Sequence, residues 1–256
     1  IKTNSITSFN GVPYIYETLC KIGLNNLKID SLRYLTQAGG KLSYNINKKI
    51  VNFSKKNEME FYSMYGQTEA SPRIAILDSK YALQKIGSIG KAIPGGRIWL
   101  SNSEGKKITK SHEIGELIYF GKNVSPGYAY SYNDLTKNTK NNFTLKTGDL
   151  AYYDKDKFLF VKGRVNRIAK IYGIRFNLDE LEQKLINKGY LIVCITDNKN
   201  IYLCSEKDYS DNNLIVTASK MTMLNSRVFK CIKFEKFPRN ISGKIEFNKV
   251  LENINV

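Results

Sequence analysis

A strand-like segment that runs straight into a glycine turn decides the fold class: Met59-Glu60-Phe61-Tyr62-Ser63-Met64-Tyr65-Gly66-Gln67-Thr68-Glu69-Ala70. The apolar run Leu32-Arg33-Tyr34-Leu35-Thr36 has the same form, since it leads into the glycine turn Ala38-Gly39-Gly40. An amphipathic helical pattern over Tyr14 to Ile22 precedes both runs. These patterns predict an α/β portion over residues 1–75, and ligands of open α/β sheets bind at such strand-end loops.

The pattern of apolar and turn-forming residues changes over residues 76–162. Short alternating runs are separated by Gly, Pro, Asn and Asp, as at Arg97 to Leu100, Gly115 to Phe120 and Lys157 to Val161. Turn signals at this spacing are typical of all-β structure. We therefore predict a β-rich, β-barrel-like or sandwich-like subdomain.

A third pattern follows Gly163. It predicts a helix from Leu178 to Asn187, a hairpin of Leu191 to Thr196 with Asn200 to Ser205, and a strand near Ile232. Together these elements predict a small α+β domain at the end of the chain.

The net charge of +17 and the pI near 9.6 raise the question of a polyanionic partner. Only eight of the 40 basic residues are Arg, the type that favours base readout and bidentate phosphate contacts. The Lys residues are scattered and accompany abundant Asn and Ile, which favours a surface charge driven by composition. A dedicated polyanion site, or a charge asymmetry that helps to hold nucleotide phosphates, are the alternatives. We do not expect a nucleic-acid partner.

The chain has four cysteines without a CxxC pair, and His112 is its single histidine. A structural zinc site is therefore not expected. Cys194 and Cys204 lie in apolar runs and are predicted to be buried thiols, which fits a reducing cytoplasm. The sequence contains no run of about 20 apolar residues, so we do not expect a transmembrane helix.

Five segments, in this order, carry the chemistry. They are Tyr65-Gly66-Gln67-Thr68-Glu69; Gly115-Glu116-Leu117 with Ser125-Pro126-Gly127-Tyr128; Lys146-Thr147-Gly148-Asp149-Leu150; Gly163-Arg164-Val165-Asn166-Arg167 with Lys170 to Arg175; and Asn240-Ile241-Ser242-Gly243-Lys244. The series resembles that of the adenylate-forming (AMP-binding) superfamily, of the acyl-CoA synthetase type.

The resemblance covers nearly the whole chain and corresponds to the latter half of such an enzyme. It implies that residues 1–165 end the large AMP-binding domain and that residues 166–256 form the mobile C-terminal lid domain. The family's Ser/Thr/Gly-rich loop ending in Pro-Lys-Gly, which embraces the β- and γ-phosphates of ATP, has no match here.

The resemblance also implies roles for residues on the nucleotide side. Thr68 would hold the α-phosphate, and Glu69 would bind Mg²⁺. Tyr65 would pack near adenine, and Gly66, the next residue, would also belong to the nucleotide-binding loop. Gly39 and Gly40 match the glycine turn beside adenine and the acyl pocket.

Asp149 and Arg164 would hydrogen-bond the ribose hydroxyls, and both residues position the chemistry without performing it.

Lys244 is the residue to which the resemblance assigns the main catalytic role, with Thr68 and Glu69 beside it. A cation there stabilises charge on the α-phosphate as the carboxylate attacks. Asn166 matches the hinge, where Asp or Lys is usual, and Asn tolerates unusual backbone angles. Gly173 matches the loop that lines the thioester tunnel.

The function that the resemblance implies is that of an ATP-dependent acid–thiol ligase. It would activate a small carboxylic acid as acyl-AMP and transfer it to coenzyme A or to the phosphopantetheine of an acyl carrier protein. We expect these 256 residues to be inactive alone. A half-enzyme that binds AMP or a partner without chemistry, and a basic nucleic-acid-binding protein, are the alternatives.

Overall fold

The computed structural model describes residues 4–24, 30–136, 142–240 and 245–254. The chain divides into two units, residues 1–161 and 162–256. The lid boundary after residue 165 stays a prediction.

A mixed sheet with two helices forms the first part of unit 1. Its elements are β1 (Ser8–Gly11), α1 (Pro13–Ile22), β2 (Tyr34–Gln37), α2 (Tyr44–Lys56), β3 (Glu60–Tyr65), β4 (Ala75–Leu77) and β5 (Lys91–Ala92). The strands lie in the order β1-β2-β3-β4-β5. β1, β2 and β3 are parallel, and β4 and β5 are antiparallel to their neighbours. The α/β character predicted for this part is confirmed, although the sheet continues through β4 and β5, past the expected end of the portion at residue 75.

The two helices cover this sheet because each has one apolar face. In α2, Ile50 and Phe53 are buried, and the Ser43 hydroxyl caps the helix by accepting a hydrogen bond from the N–H of Ile46 at 3.4 Å. In α1, Tyr16 is fully buried and donates its hydroxyl to the carbonyl oxygen of Thr36 at 2.7 Å. This bond fixes α1 on β2.

The second part of unit 1 contains a separate five-stranded sheet, which continues past residue 161 in its last strand. Its elements are β6 (Arg97–Ser101), β7 (Lys107–Ile108), β8 (Gly115–Phe120), the short helix α3 (Tyr132–Leu135), β9 (Thr144–Tyr153) and β10 (Leu159–Arg164). The order is β10-β9-β8-β6-β7. Within the described residues the edge strands β7 and β10 do not pair, so the sheet is open. The β-barrel-like form expected for residues 76–162 was wrong, because alternation and turn spacing predict strands but not closure.

In its described residues, unit 2 contains two small sheets and three α-helices. Its elements are β11 (Ile168–Ile171), β12 (Ile174–Asn177), α4 (Leu178–Ile186), β13 (Val193–Thr196), β14 (Ile201–Ser205), α5 (Asp211–Thr222), β15 (Phe229–Lys233) and α6 (Phe247–Ile254). The hairpin of β13 with β14 and helix α4 lie where the sequence predicted them. Cys194 and Cys204 are fully buried, as expected. Of the helices described in either unit, none is both long and apolar enough to traverse a bilayer.

Candidate functional site

Two of the predicted glycine turns leave the first sheet at the same edge. β2 and β3 are parallel neighbours, with Gln37 opposite Ser63, so the loops after both strands begin side by side. The amide of Gln37 donates to the carbonyl oxygen of Gly40 at 2.7 Å, and Gly39 has a positive φ of 83°. The Gly39–Gly40 turn is therefore fixed to the end of its own strand.

Gly66 allows the loop after β3 to press against the chain that returns into β4. A Cβ atom at this position would lie 1.5 Å from the carbonyl oxygen of Pro72, so no side chain fits. The N–H of Ile74 donates to the carbonyl oxygen of Tyr65 at 2.9 Å and closes the same loop. Thr68 begins a short 3-10 turn here, and its side chain is exposed.

The side chains of this loop meet Asp149 of β9. Asp149 is only 6% exposed, and its Oδ2 accepts a hydrogen bond from the hydroxyl of Tyr65 at 2.5 Å. The amide of Gln67 donates to the same oxygen at 3.0 Å and to the carbonyl oxygen of Thr147 at 2.8 Å. The sequence placed Gln67 in a motif but gave it no role. Two donors from one loop thus hold a buried carboxylate in place.

A bulge in the second sheet presents Asp149 to that loop. Opposite β8, the residues between Lys146 and Leu150 face Leu117 alone, so the regular pairing is interrupted. Thr147 donates its hydroxyl to the carbonyl oxygen of Leu117 at 2.8 Å, and Gly148 has a φ of 69°. The Thr-Gly-Asp sequence therefore forms a β-bulge, and the Asp149 carboxylate bonds to the loop after β3.

Glu69 is tied to the segment that follows β8. Its carboxylate accepts a hydrogen bond from the hydroxyl of Tyr128, and its carbonyl oxygen accepts the N–H of Ser125 at 2.8 Å. The hydrogen bond to Glu69 raises the pKa of Tyr128, so the hydroxyl stays protonated and able to donate. Tyr128 lay in a quoted motif but received no role from the sequence.

Glu69 is a single carboxylate, which suits Mg²⁺ better than it suits a metal ion whose ligands all come from the protein. Mg²⁺ is commonly bound by one or two carboxylates together with substrate phosphates. In the described part of the chain, no group of three or more His, Cys, Asp or Glu side chains is placed to hold a metal. The donor set therefore fits a Mg²⁺ ion that arrives with phosphate oxygens.

The remaining predicted residues belong to unit 2. Arg164 ends β10 with an exposed side chain, and its N–H donates to Asp179 at 3.2 Å. Asn166 is exposed in a 3-10 turn. Gly173, with a φ of 81°, completes the two-residue turn between β11 and β12, and apart from its chain neighbours no atom of the described residues lies within 4 Å of its would-be Cβ. Lys244 lies outside the described residues.

Arg167 lies beside the predicted hinge, and it lay in a quoted motif but received no role from the sequence. Arg167 is 4% exposed, and its side chain donates to Asp179 at 2.7 Å, to the carbonyl oxygen of Cys194 at 2.6 Å and to Glu182. Burial acts to lower the pKa of Arg167, but the two carboxylates outweigh it and raise the pKa. The guanidinium also lies 4.1 Å from the ring centroid of Phe247 in α6. No sequence signal distinguishes this Arg from a solvated one.

Comparison with protein families identifies the family of the chain. The profile of the AMP-binding enzyme family matches residues 1–129, half of the chain. The chain belongs to the AMP-binding enzyme family. The family match covers the Gly39–Gly40 turn, the loop from Tyr65 to Glu69, and Tyr128.

Two relatives in this family are coenzyme A ligases. The 4-hydroxybutyrate–CoA ligase 1 of Metallosphaera sedula is 27% identical over 262 residues, which cover 96% of this chain and 45% of that ligase. The 2-succinylbenzoate–CoA ligase of Listeria monocytogenes is 25% identical over 98% of this chain and 52% of that ligase. The chain thus spans about half the length of the curated relatives it matches.

Solved structures of AMP-binding enzymes share the fold. The O-succinylbenzoate coenzyme A synthetase of Bacillus subtilis, in complex with AMP, superposes with a TM-score of 0.75 at 24% identity, over 98% of this chain and 52% of the synthetase. The same synthetase with ATP and a magnesium ion gives a TM-score of 0.74 at 23% identity, with the same coverage of both chains. At these identities the likeness shows the fold.

Proposed function

We propose that this chain is the latter part of an ATP-dependent acid–thiol ligase, which activates a carboxylic acid as acyl-AMP and transfers the acyl group to a thiol. The observation that carries the proposal is the meeting of Tyr65 and Gln67 with the buried Asp149, beside Thr68 and Glu69. This cluster lies at a strand-end edge in a chain of the AMP-binding enzyme family.

The nucleotide side of the proposed site uses hydrogen bonds. Asp149 is an acceptor held in position by its own donors, which suits the two hydroxyls of a ribose. Each such charge-assisted bond contributes roughly 1.5–3 kcal/mol. Tyr65 is bound to the same carboxylate, so its ring would lie near the adenine. Thr68 would donate to the α-phosphate, and Gly39 and Gly40 would let the nucleotide approach the backbone closely.

Glu69 is the proposed ligand of Mg²⁺. When bound, the ion neutralises charge on the transferring phosphates. The hydroxyl of Tyr128 holds one carboxylate oxygen of Glu69 and thereby orients the group. Tyr128 is thus a positioning residue for the metal site.

Unit 2 supplies the remaining proposed roles. Residues 166–256 would move as a lid about Asn166, and Arg164 would donate to the ribose. Lys244 would stabilise the charge that develops on the α-phosphate as the acid carboxylate attacks. After rotation of the lid, Gly173 would line the path by which the thiol reaches the acyl-adenylate.

The substrates follow from the relatives, and we keep them as classes. The named ligases act with coenzyme A, so we propose coenzyme A as the thiol, with the phosphopantetheine of a carrier protein as the alternative. The acid would be a small carboxylic acid. The free cysteines fit a reducing compartment, and we propose the cytoplasm.

Binding of AMP to the 256-residue chain, measured by calorimetry, tests the nucleotide site. Asp149→Asn keeps the shape of the side chain and removes its charge, and we expect it to weaken AMP at least about tenfold. Asp156→Asn is the matched control, because Asp156 lies in the same unit and pairs with Lys85 instead. Equal affinities of wild type and Asp149→Asn would refute the ribose role.

Acid-dependent ATP–pyrophosphate exchange by the full-length protein tests the chemistry. We expect Lys244→Ala to lower exchange by about 10² or more, the usual loss for one donor to developing charge. The 256 residues alone should give no exchange. AMP binding without exchange in the full-length protein would indicate a binding module in place of a ligase.

A further inference from the structure

The side chain that begins α6 lies against the residue that follows the proposed hinge. The guanidinium of Arg167 is 4.1 Å from the ring centroid of Phe247. Arg167 is 4% exposed and Phe247 is 38% exposed, so the ring covers a desolvated cation while part of the ring meets solvent. A cation over an aromatic ring is attracted most strongly where water is excluded. Both residues lie in unit 2, so the contact is internal to that unit.

The hydrogen bonds of Arg167 leave the flat face of its guanidinium for the ring. The side chain donates to Asp179, to the carbonyl oxygen of Cys194 and to Glu182. The N–H groups of a guanidinium lie in its plane, so these three acceptors fix the orientation of that plane from its edge. Phe247 then packs on the face. The contact therefore joins the start of α6 to α4 and β13 through one side chain.

The chain that leads to Phe247 is paired with the segment before it. Arg239 and Ile245 form an antiparallel bridge. Residues 241–244 lie between them in the chain and outside the described residues. In the sequence, Lys244 is next to Ile245 and three positions before Phe247. The described residue with a side-chain contact to the hinge region thus follows Lys244 by less than one helical turn in sequence.

We propose that Phe247 is a positioning residue for Lys244, because its ring on Arg167 fixes the start of α6 relative to the hinge. The inference rests on the proposed function, in which Lys244 stabilises the charge on the α-phosphate. When the lid turns about Asn166, Arg167 moves with α4, and the ring contact makes Phe247 move with it. A misplacement of about 1 Å in a catalytic group can cost about 10²-fold in rate. Loss of the ring contact should therefore slow the step that uses Lys244.

A role in stability alone predicts a different result. Val250 is fully buried, and Leu251 and Ile254 pack against the same hydrophobic cluster, so α6 has its own attachment to unit 2. Phe247→Leu keeps an apolar side chain at the partly exposed position and leaves those three contacts in place. We therefore expect the variant to fold, which circular dichroism checks, and to lose only the cation–π contact with Arg167.

The two half-reactions of the full-length protein separate positioning from stability. Adenylation is measured as ATP–pyrophosphate exchange with acetate, hexanoate and benzoate as the acids. Thioester formation is measured from the synthetic acyl-adenylate of the acid that supports exchange, with coenzyme A. Lys244 would act in the first half-reaction only. We expect Phe247→Leu to lower exchange about ten- to a hundredfold and to change thioester formation less than about twofold.

Three further variants complete the test. Phe247→Tyr keeps the ring and should restore exchange to nearly the wild-type rate. Phe234→Leu is the matched control, because it makes the same change in unit 2 at a ring that contacts Phe237 instead of Arg167, and its exchange should equal that of wild type. In a Lys244→Ala background, Phe247→Leu should lower exchange no further, since its effect passes through Lys244.

The outcomes distinguish this inference from the proposed function. Wild-type protein that shows no exchange with any of the three acids would refute the proposed function and this inference with it. Wild-type exchange that Phe247→Leu leaves unchanged would overturn the positioning role alone. Equal losses in the two half-reactions, or a further loss in the Lys244→Ala background, would overturn it as well, because either result indicates a general effect on the unit.

Discussion

The hydrogen bond from Tyr65 to Asp149 gives the sharpest prediction, because it joins the loop after β3 to the bulge in β9. The bond is 2.5 Å long and ends on a carboxylate that is 6% exposed, so solvent screens it little. Tyr65→Phe removes only the hydroxyl. A charge-assisted bond of this kind contributes about 1.5–3 kcal/mol, and the second donor, Gln67, limits the loss. We expect Tyr65→Phe to lower the free energy of unfolding by about 2 kcal/mol.

Urea unfolding at pH 7 measures this loss. The single tryptophan, Trp99, lies in β6 of the same unit, so its fluorescence follows the unfolding of the sheet that carries Asp149. A double-mutant cycle of Tyr65→Phe with Asp149→Asn isolates the pair from other contacts of either residue. We expect a coupling energy of about 1–2 kcal/mol.

Tyr14→Phe is the control for the loss of a hydroxyl. Tyr14 is 71% exposed, and its removal should change the free energy of unfolding by less than about 0.5 kcal/mol. A coupling energy indistinguishable from zero, with Tyr65→Phe behaving like Tyr14→Phe, would show that the bond does not hold Asp149 in place.

Three further predictions concern backbone fit, a buried charge and pH. Gly66→Ala should destabilise unit 1 by about 3 kcal/mol in urea unfolding, because the new Cβ would meet the Pro72 carbonyl oxygen. Gly105→Ala is the control: its Cβ would meet no neighbouring atom, so it should cost only about 1 kcal/mol of backbone strain. Arg167→Met should lower the free energy of unfolding, followed by circular dichroism, by about 3–5 kcal/mol, because two carboxylates lose their partner. An Arg167→Lys variant as stable as wild type would contradict this expectation. Partial burial acts to raise the pKa of Asp197, but the N–H groups of Asn200 and Lys199 outweigh it and lower the pKa to about 2. Asp197 therefore stabilises the fold above the pKa of about 3.9 that an unfolded Asp has, and loses that effect progressively as the pH falls through 2. After allowance for solvent screening, Asp197→Ala should lower the free energy of unfolding by about 1 kcal/mol at pH 7 and by much less at pH 2, where half of the Asp197 carboxyls are protonated.

Local patterns predicted the elements of this fold better than their assembly. The runs ending at Ala38-Gly39-Gly40 and at Tyr65-Gly66 gave β2 and β3, because an apolar run followed by glycine has few other solutions. The parallel pairing of these strands then placed both turns at one edge. Closure of the second sheet depends on twist and on edge contacts between distant strands, which alternation does not encode. The barrel expectation was therefore wrong although the strands were found.

For the candidate site as well, the sequence located residues but not their contacts. Tyr65 and Asp149 are 84 positions apart in the chain, and only the resemblance linked them before the structure showed their contact. Gln67 and Tyr128 lay inside quoted motifs, but their partners are set by side-chain geometry across two sheets. Arg167 also lay inside a quoted motif without a role, because burial of a charge depends on carboxylates brought to it by α4.

The surroundings of Asn166 limit where the proposed hinge could act. On one side, Arg167 is locked by Asp179, Glu182 and the Cys194 carbonyl oxygen, so the backbone after Asn166 must move together with α4 and β13. On the other side, the N–H of Arg164 donates to Asp179 at 3.2 Å, a bond that a rotation at residues 165–166 would break. Breaking one bond of this kind costs about 1.5–3 kcal/mol at most, because water can replace it at an exposed position. For the proposed hinge, a rotation that includes Arg167 would cost more than one that leaves Arg167 with α4, because it would expose two carboxylates and a guanidinium together.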